Sequence, residues 1–195
     1  MKEKLAFVPA LTDAVALGTK NVASILGAAV LYILTIWIPY LNVGTTIAIC
    51  NLPVELSKGK VVNPLSIFDA KYRRQMGEFI LLEAMMQVGI GVAVLFLIAP
   101  AIVLGISWSQ AVYLLLDKKL NWAQCLTESN RITMGYKWKI FFLKLVLWVI
   151  GGILAAMFSK LFLLLLIVVM VLLAASIALD AVIYRELSSE EETAE

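Results

Sequence analysis

Three ionisable side chains interrupt long apolar runs: Glu83 in LLEAMM, Lys144 in FFLKLV and Asp180 in IALDAV. A charge surrounded by hydrocarbon is costly, so such residues pair, reach for the interface or line a polar path. The chemistry open to this trio is an ion pair of Lys144 with Glu83 or Asp180, or a polar site for a solute or ligand. A lysine can also snorkel, its stem buried and its ammonium wet. Little else is on offer. The chain has no histidine, which removes the commonest metal ligand and general base. Its cysteines, Cys50 and Cys125, lie 75 positions apart and form no CxxC pair, so neither a zinc site nor a redox motif is readable. Gly-rich phosphate loops and a GxSxG elbow are absent. No catalytic, metal or cofactor-binding residue is expected, because two carboxylates alone do not make an active site.

The elements that must position these groups are membrane helices. Of 195 residues, 62% are hydrophobic and 15% charged, and the mean hydropathy is +0.94. A soluble domain runs nearer half apolar and a quarter charged. The fold class expected is all-α: a polytopic helical membrane protein with about six spans arranged as three hairpins. The spans fall at 21–38, 42–57, 79–98, 101–116, 138–158 and 161–184. The second is short of the ~20 residues that cross a bilayer and contains Asn51 and Pro53. It reads as a tilted span or as a re-entrant segment. The single domain covers 1–187, and the acidic tail 188–195 reads as solvated and disordered. The N-terminus, broken by Pro9, Asp13 and Lys20, reads as mature sequence and not as a cleavable signal.

A weak internal repeat organises the spans into units 5–60, 64–119 and 121–187. Gly18, Gly77 and Gly135 fall 59 and 58 residues apart, each after an amphipathic stretch and before an apolar run. Those stretches are expected to be helices lying in the interface plane; the alternative is a loop helix packed on protein. Asn63-Pro64 reads as an N-cap with proline at the first helical position. Asn121 with Gln124 reads as a capping box.

Charge sets the expected orientation. Of 16 basic residues, 14 fall at the termini and in the connections 58–78 and 117–139, Lys160 falls on the other side, and Lys144 lies within a span. Such a bias over short loops places the basic side, and both termini, in the cytoplasm. Trp37 and Tyr40 then mark the outer interface, while Tyr72, Trp122 and Trp138 mark the inner one.

Residues 126–141, LTESNRITMGYKWKIF, resemble a segment of the bacterial multi-spanning membrane families of unknown function related to the membrane domain of some glycerophosphodiester phosphodiesterases. The matching positions are Ser129, Thr133, Gly135, Trp138, Lys139 and Phe141. The resemblance covers residues 100–158, and the rest by layout alone. It implies a helical membrane fold with interfacial helices and no catalytic residues, since that chemistry belongs to a separate soluble domain.

The function expected from these residues is that of an integral bacterial inner-membrane protein without catalytic machinery. It would act as a scaffold, an accessory subunit or a homo-oligomer, with membrane lipid or another membrane protein as partner and no nucleic acid. The alternative is a small transporter or channel with a polar site near Glu83, Lys144 and Asp180.

Overall fold

The computed structural model of the protein describes residues 5–158 and 162–189. Its regular elements are helical: α1 (Phe7–Thr35), α2 (Pro39–Cys50), α3 (Leu52–Ser57), a 3-10 turn (Pro64–Phe68), α4 (Ala70–Arg73), α5 (Met76–Phe96), α6 (Ile98–Ser107), α7 (Ala111–Lys118), α8 (Trp122–Thr133), α9 (Lys137–Phe158) and α10 (Phe162–Ser188). Among the described residues, five helical stretches are long and apolar enough to cross a membrane: α1, α5, α6 together with α7, α9 and α10. The expected break at Ser159-Lys160 and the acidic tail beyond Ser189 lie outside the described residues.

Local chemistry explains most of the boundaries. Pro39 opens α2 at its first position, where its missing N–H costs nothing. Pro53 has no N–H for the helical ladder, so α2 and α3 are separate helices divided at Asn51. The Asn121 side chain accepts from Gln124 N at 2.9 Å and Gln124 Oε1 accepts from Asn121 N at 3.3 Å, a complete capping box opening α8. Gly135, at φ +86°, turns the chain from α8 into α9 through a conformation that a side chain would strain. Asn63 does cap, accepting from Leu65 N at 3.0 Å, but it opens a five-residue 3-10 turn.

Several expectations need correction. The amphipathic stretch ahead of the first span is the first part of α1, continuous with the apolar part. The second stretch is a 3-10 turn and the four-residue α4, which bury Ile67 and Tyr72. Only the third, α8, is a helix of its own. The three repeat glycines are not equivalent. Gly18 lies mid-helix against Ala174 and Ala178 of α10, Gly77 lies in the first turn of α5, and Gly135 sits in a left-handed turn. Nor do Tyr40 and Arg73 mark opposite faces. The Arg73 guanidinium stands 5.9 Å from the centre of the Tyr40 ring, far too close to be separated by ~30 Å of hydrocarbon. Gly44 eases this approach, because the stem of Arg73 passes 3.0 Å from where a Cβ would be.

Long-range contacts gather chain segments at one end of the molecule. Leu5 N donates to Glu186 Oε2 at 2.8 Å, and Arg185 pairs with Asp13 at 2.7 Å. Lys58 pairs with Asp117, and Trp122 N donates to Glu78 Oε2 at 3.1 Å. The buried core lies toward this end. It draws on α1, α2, α3, α7, the first turns of α5 and α9, and the last half of α10. The remainder of α5, α6 and α9, with the first half of α10, is predominantly exposed and apolar.

Candidate functional site: a ladder of carboxylates and tyrosines

The three intramembrane charges do not form one cluster. Lys144, two turns into α9, places Nζ 2.8 Å from Asp180 Oδ1 on α10. The approach is that of an ion pair without hydrogen-bond alignment, for this buried oxygen accepts no aligned donor. Of the two carboxylates open to Lys144, Asp180 is therefore the partner. Glu83, on α5, is partly buried and is joined to no described side chain by a hydrogen bond or ion pair.

Around Asp180 the structure adds residues that spacing alone had not singled out. Tyr113 donates its hydroxyl to Asp180 Oδ2 at 3.1 Å. One turn on, the roles reverse: Tyr184 of α10 donates to Asp117 Oδ2 of α7 at 2.6 Å. The two tyrosine rings meet edge to face, 5.8 Å between centres. Asp117 also holds the ammonium of Lys58, so the ladder runs Lys144, Asp180, Tyr113, Tyr184, Asp117, Lys58. Because 113 meets 180 and 117 meets 184 in the same order, α7 and α10 run in the same direction. The latent signal is the pair of i, i+4 spacings, Tyr113–Asp117 and Asp180–Tyr184, which puts each pair on one helix face. The tyrosines are buried or half-buried, and a buried phenol keeps its hydroxyl paired. Every polar group of the ladder is engaged with another, so its chemistry is that of a fastening.

The residues that carry the family resemblance build a second fastening. Ser129 Oγ donates to Ser107 O at 2.7 Å and accepts from Gln110 N at 3.2 Å. Thr133 Oγ1 donates to Ser129 O at 2.8 Å, with Ser107 O 3.3 Å away. Ser107 and Gln110 flank the break between α6 and α7, where backbone groups lose helical partners. Two hydroxyls of α8 supply them. Trp138 stacks on Phe142 at 6.0 Å and remains exposed. Lys139 stands 5.8 Å from the Tyr136 ring. Cys125 is fully buried in α8; burial, with the charge of Glu78, pushes its thiol up to about 11, which leaves little reactive thiolate at neutral pH. Among the described residues no three His, Cys, Asp or Glu side chains converge as metal ligands would.

No family model, curated protein or solved structure matches this chain.

Proposed function

We propose that this is a multi-pass protein of a bacterial inner membrane that works by association, as a scaffold, accessory subunit or homo-oligomer, and not by catalysis. The observation that carries this reading is how the charges are spent. Lys144, Asp180, Asp117 and Lys58 are committed to one another and to two tyrosines. The surface left for partners is apolar helix: only 11% of the apolar window of α5 and 17% of that of α9 are buried within the chain.

The contacts also favour a span count. Residues in contact at a membrane face are separated along the chain by an even number of crossings. Leu5 with Glu186, Lys58 with Asp117 and Glu78 with Trp122 agree with α5, α6–α7, α9 and α10 as crossings. Arg73 over Tyr40 then leaves α2–α3 without a net crossing and keeps α1 on the same side. We therefore infer four spans, with α1–α3 making no net crossing and α8 lying on the basic, cytoplasmic side. The family resemblance of residues 126–141 agrees with such a layout.

The test is the mass of the protein purified in mild detergent, combined with cross-linking in native membranes. A defined homo-oligomer or a stoichiometric partner is the expected result; a monomer that cross-links to nothing overturns it. One observation favours the transporter reading: Glu83, partly buried and without an ion pair among the described residues. That reading requires solute flux in proteoliposomes that disappears in Glu83→Gln.

A further inference from the structure

We propose that a groove between α9 and α10 holds one acyl chain of an anionic phospholipid, with Lys144 at its mouth as the headgroup contact. The inference rests on the membrane reading above and adds a ligand site to it. The groove has a volume of about 430 Å³, within the size range of small-molecule sites. Trp148, Gly152 and Ala155 form its α9 wall, and Leu172 and Ser176 belong to its α10 wall. Apart from the Ser176 hydroxyl, which is already bonded to Leu173 O at 2.9 Å, these side chains are apolar. In a span they select hydrocarbon.

What distinguishes this groove from an ordinary lipid-facing surface is its end. Lys144 lies four residues before Trp148, and Asp180 four residues after Ser176. On helices these are one-turn steps, and both lead toward the end where α9 begins and α10 finishes. The Lys144–Asp180 pair therefore stands one turn beyond the groove, on its basic side. The lysine side chain is 35% exposed, and an ammonium carries three donors, so pairing with Asp180 leaves capacity for a second oxyanion. Lys137 lies seven residues before Lys144 and Gly151 seven after it. All three share one side of α9, and Lys137, whose ammonium also donates to Asn130 Oδ1 of α8 at 3.0 Å, gives a second positive charge above the first. Hydrocarbon-lined below and cationic above, the site complements an anionic lipid and not a zwitterionic one, whose own ammonium would meet Lys137.

The test uses the full chain in mild detergent and native mass spectrometry, with added phosphatidylglycerol or phosphatidylcholine of identical acyl chains. The expected result is a single phosphatidylglycerol adduct that outlasts the phosphatidylcholine adduct under collisional activation. Lys137→Gln should reduce the preference about fivefold, the scale of one lysine beside an anionic headgroup. Gly152→Leu fills the groove. A Cβ at Gly152 meets no atom within 4 Å, so this variant should keep its melting temperature while losing most of the adduct. Equal retention of the two lipids by the unsubstituted protein, or an undiminished adduct in Gly152→Leu, overturns the proposal. So does efficient disulfide cross-linking of two copies through Ala155→Cys, which would put a second chain in the groove. A chain that stays dispersed without detergent refutes the membrane reading before any lipid is added; lipid-blind binding refutes the site alone.

Discussion

The two ends of α5 are made of similar residues and live in different surroundings. Phe79 and Leu82, near its start, are buried in the core, with Leu82 fully enclosed. Leu95, near its finish, is 85% exposed. The same contrast runs through α9, where Ile140 and Leu143 are enclosed while Trp148 and Ile153 are not, and through α10, whose buried residues cluster after Ala174. One region is held by packing and by polar cross-links. The other has apolar length and little protein around it, as expected where lipid is as favourable a neighbour as another leucine. Hydrophobicity places a segment in the bilayer; polar fastening and close packing decide what it touches there.

Cavity formation should show the contrast most strongly. Leu82→Ala should cost ~2–5 kcal/mol by the usual range for an enclosed leucine, whereas Leu95→Ala should stay within ~0.5 kcal/mol. Thermal unfolding in detergent compares the two directly. Equal shifts would erase the distinction between the regions. Next in size is the ion pair. Lys144→Met leaves Asp180 without its counter-charge and should cost ~1–3 kcal/mol, less than a fully buried pair because the lysine is partly exposed. Adding Asp180→Leu should recover much of that loss, and a double-mutant cycle in the same melting assay reads the coupling. Additive losses would mean that the pair does not hold α9 to α10.

Comparable in size, Ser129→Ala removes the hydroxyl that serves both sides of the α6–α7 break. It should cost ~1–3 kcal/mol, the range for stranding a buried polar group, and should speed amide exchange at Gln110. Unchanged exchange there would reduce the motif serine to a packing residue. The mildest probe leaves the fold untouched. Cys125 should resist maleimide at pH 7 in the folded protein and react once unfolded, as mass spectrometry would record. Rapid labelling of the native chain would show that the base of the molecule opens readily.

Much of this architecture was legible in the sequence. The spans expected at 79–98 and 138–158 correspond to α5 and α9, because each is a long apolar run, broken by few charges, with a clear start. The capping box at Asn121 was legible because its partners are three residues apart. The α1 boundary was not: alternating polar residues around Asp13 and Lys20 suggested an interfacial helix ending at Gly18, but Gly18 lies mid-helix in α1, facing Ala174 and Ala178 of α10. Arg73 over Tyr40 lay beyond any local pattern, since residues 33 positions apart meet only in the folded chain. At the candidate site, Lys144 and Asp180 were marked by being charged in apolar surroundings, and a common depth made their pairing available. Tyr113, Asp117 and Tyr184 carried only their i, i+4 spacing, and their partners stand 67 residues away. The Ser129–Thr133 motif was conspicuous, but its use in satisfying another helix's backbone follows only from seeing α8 beside the break in α6–α7.

One feature bears on how the chain is made. α10 packs against α1, α3 and α9, bonds to α7 through Tyr184 and Asp180, and receives the amide of Leu5 at Glu186. During synthesis the earlier helices that pair with α10 enter the bilayer with those faces still open, and the segment that forms α10 acts as their keystone. A premature stop upstream of Ala174 would leave a polypeptide that inserts and never closes, ready prey for quality-control proteases.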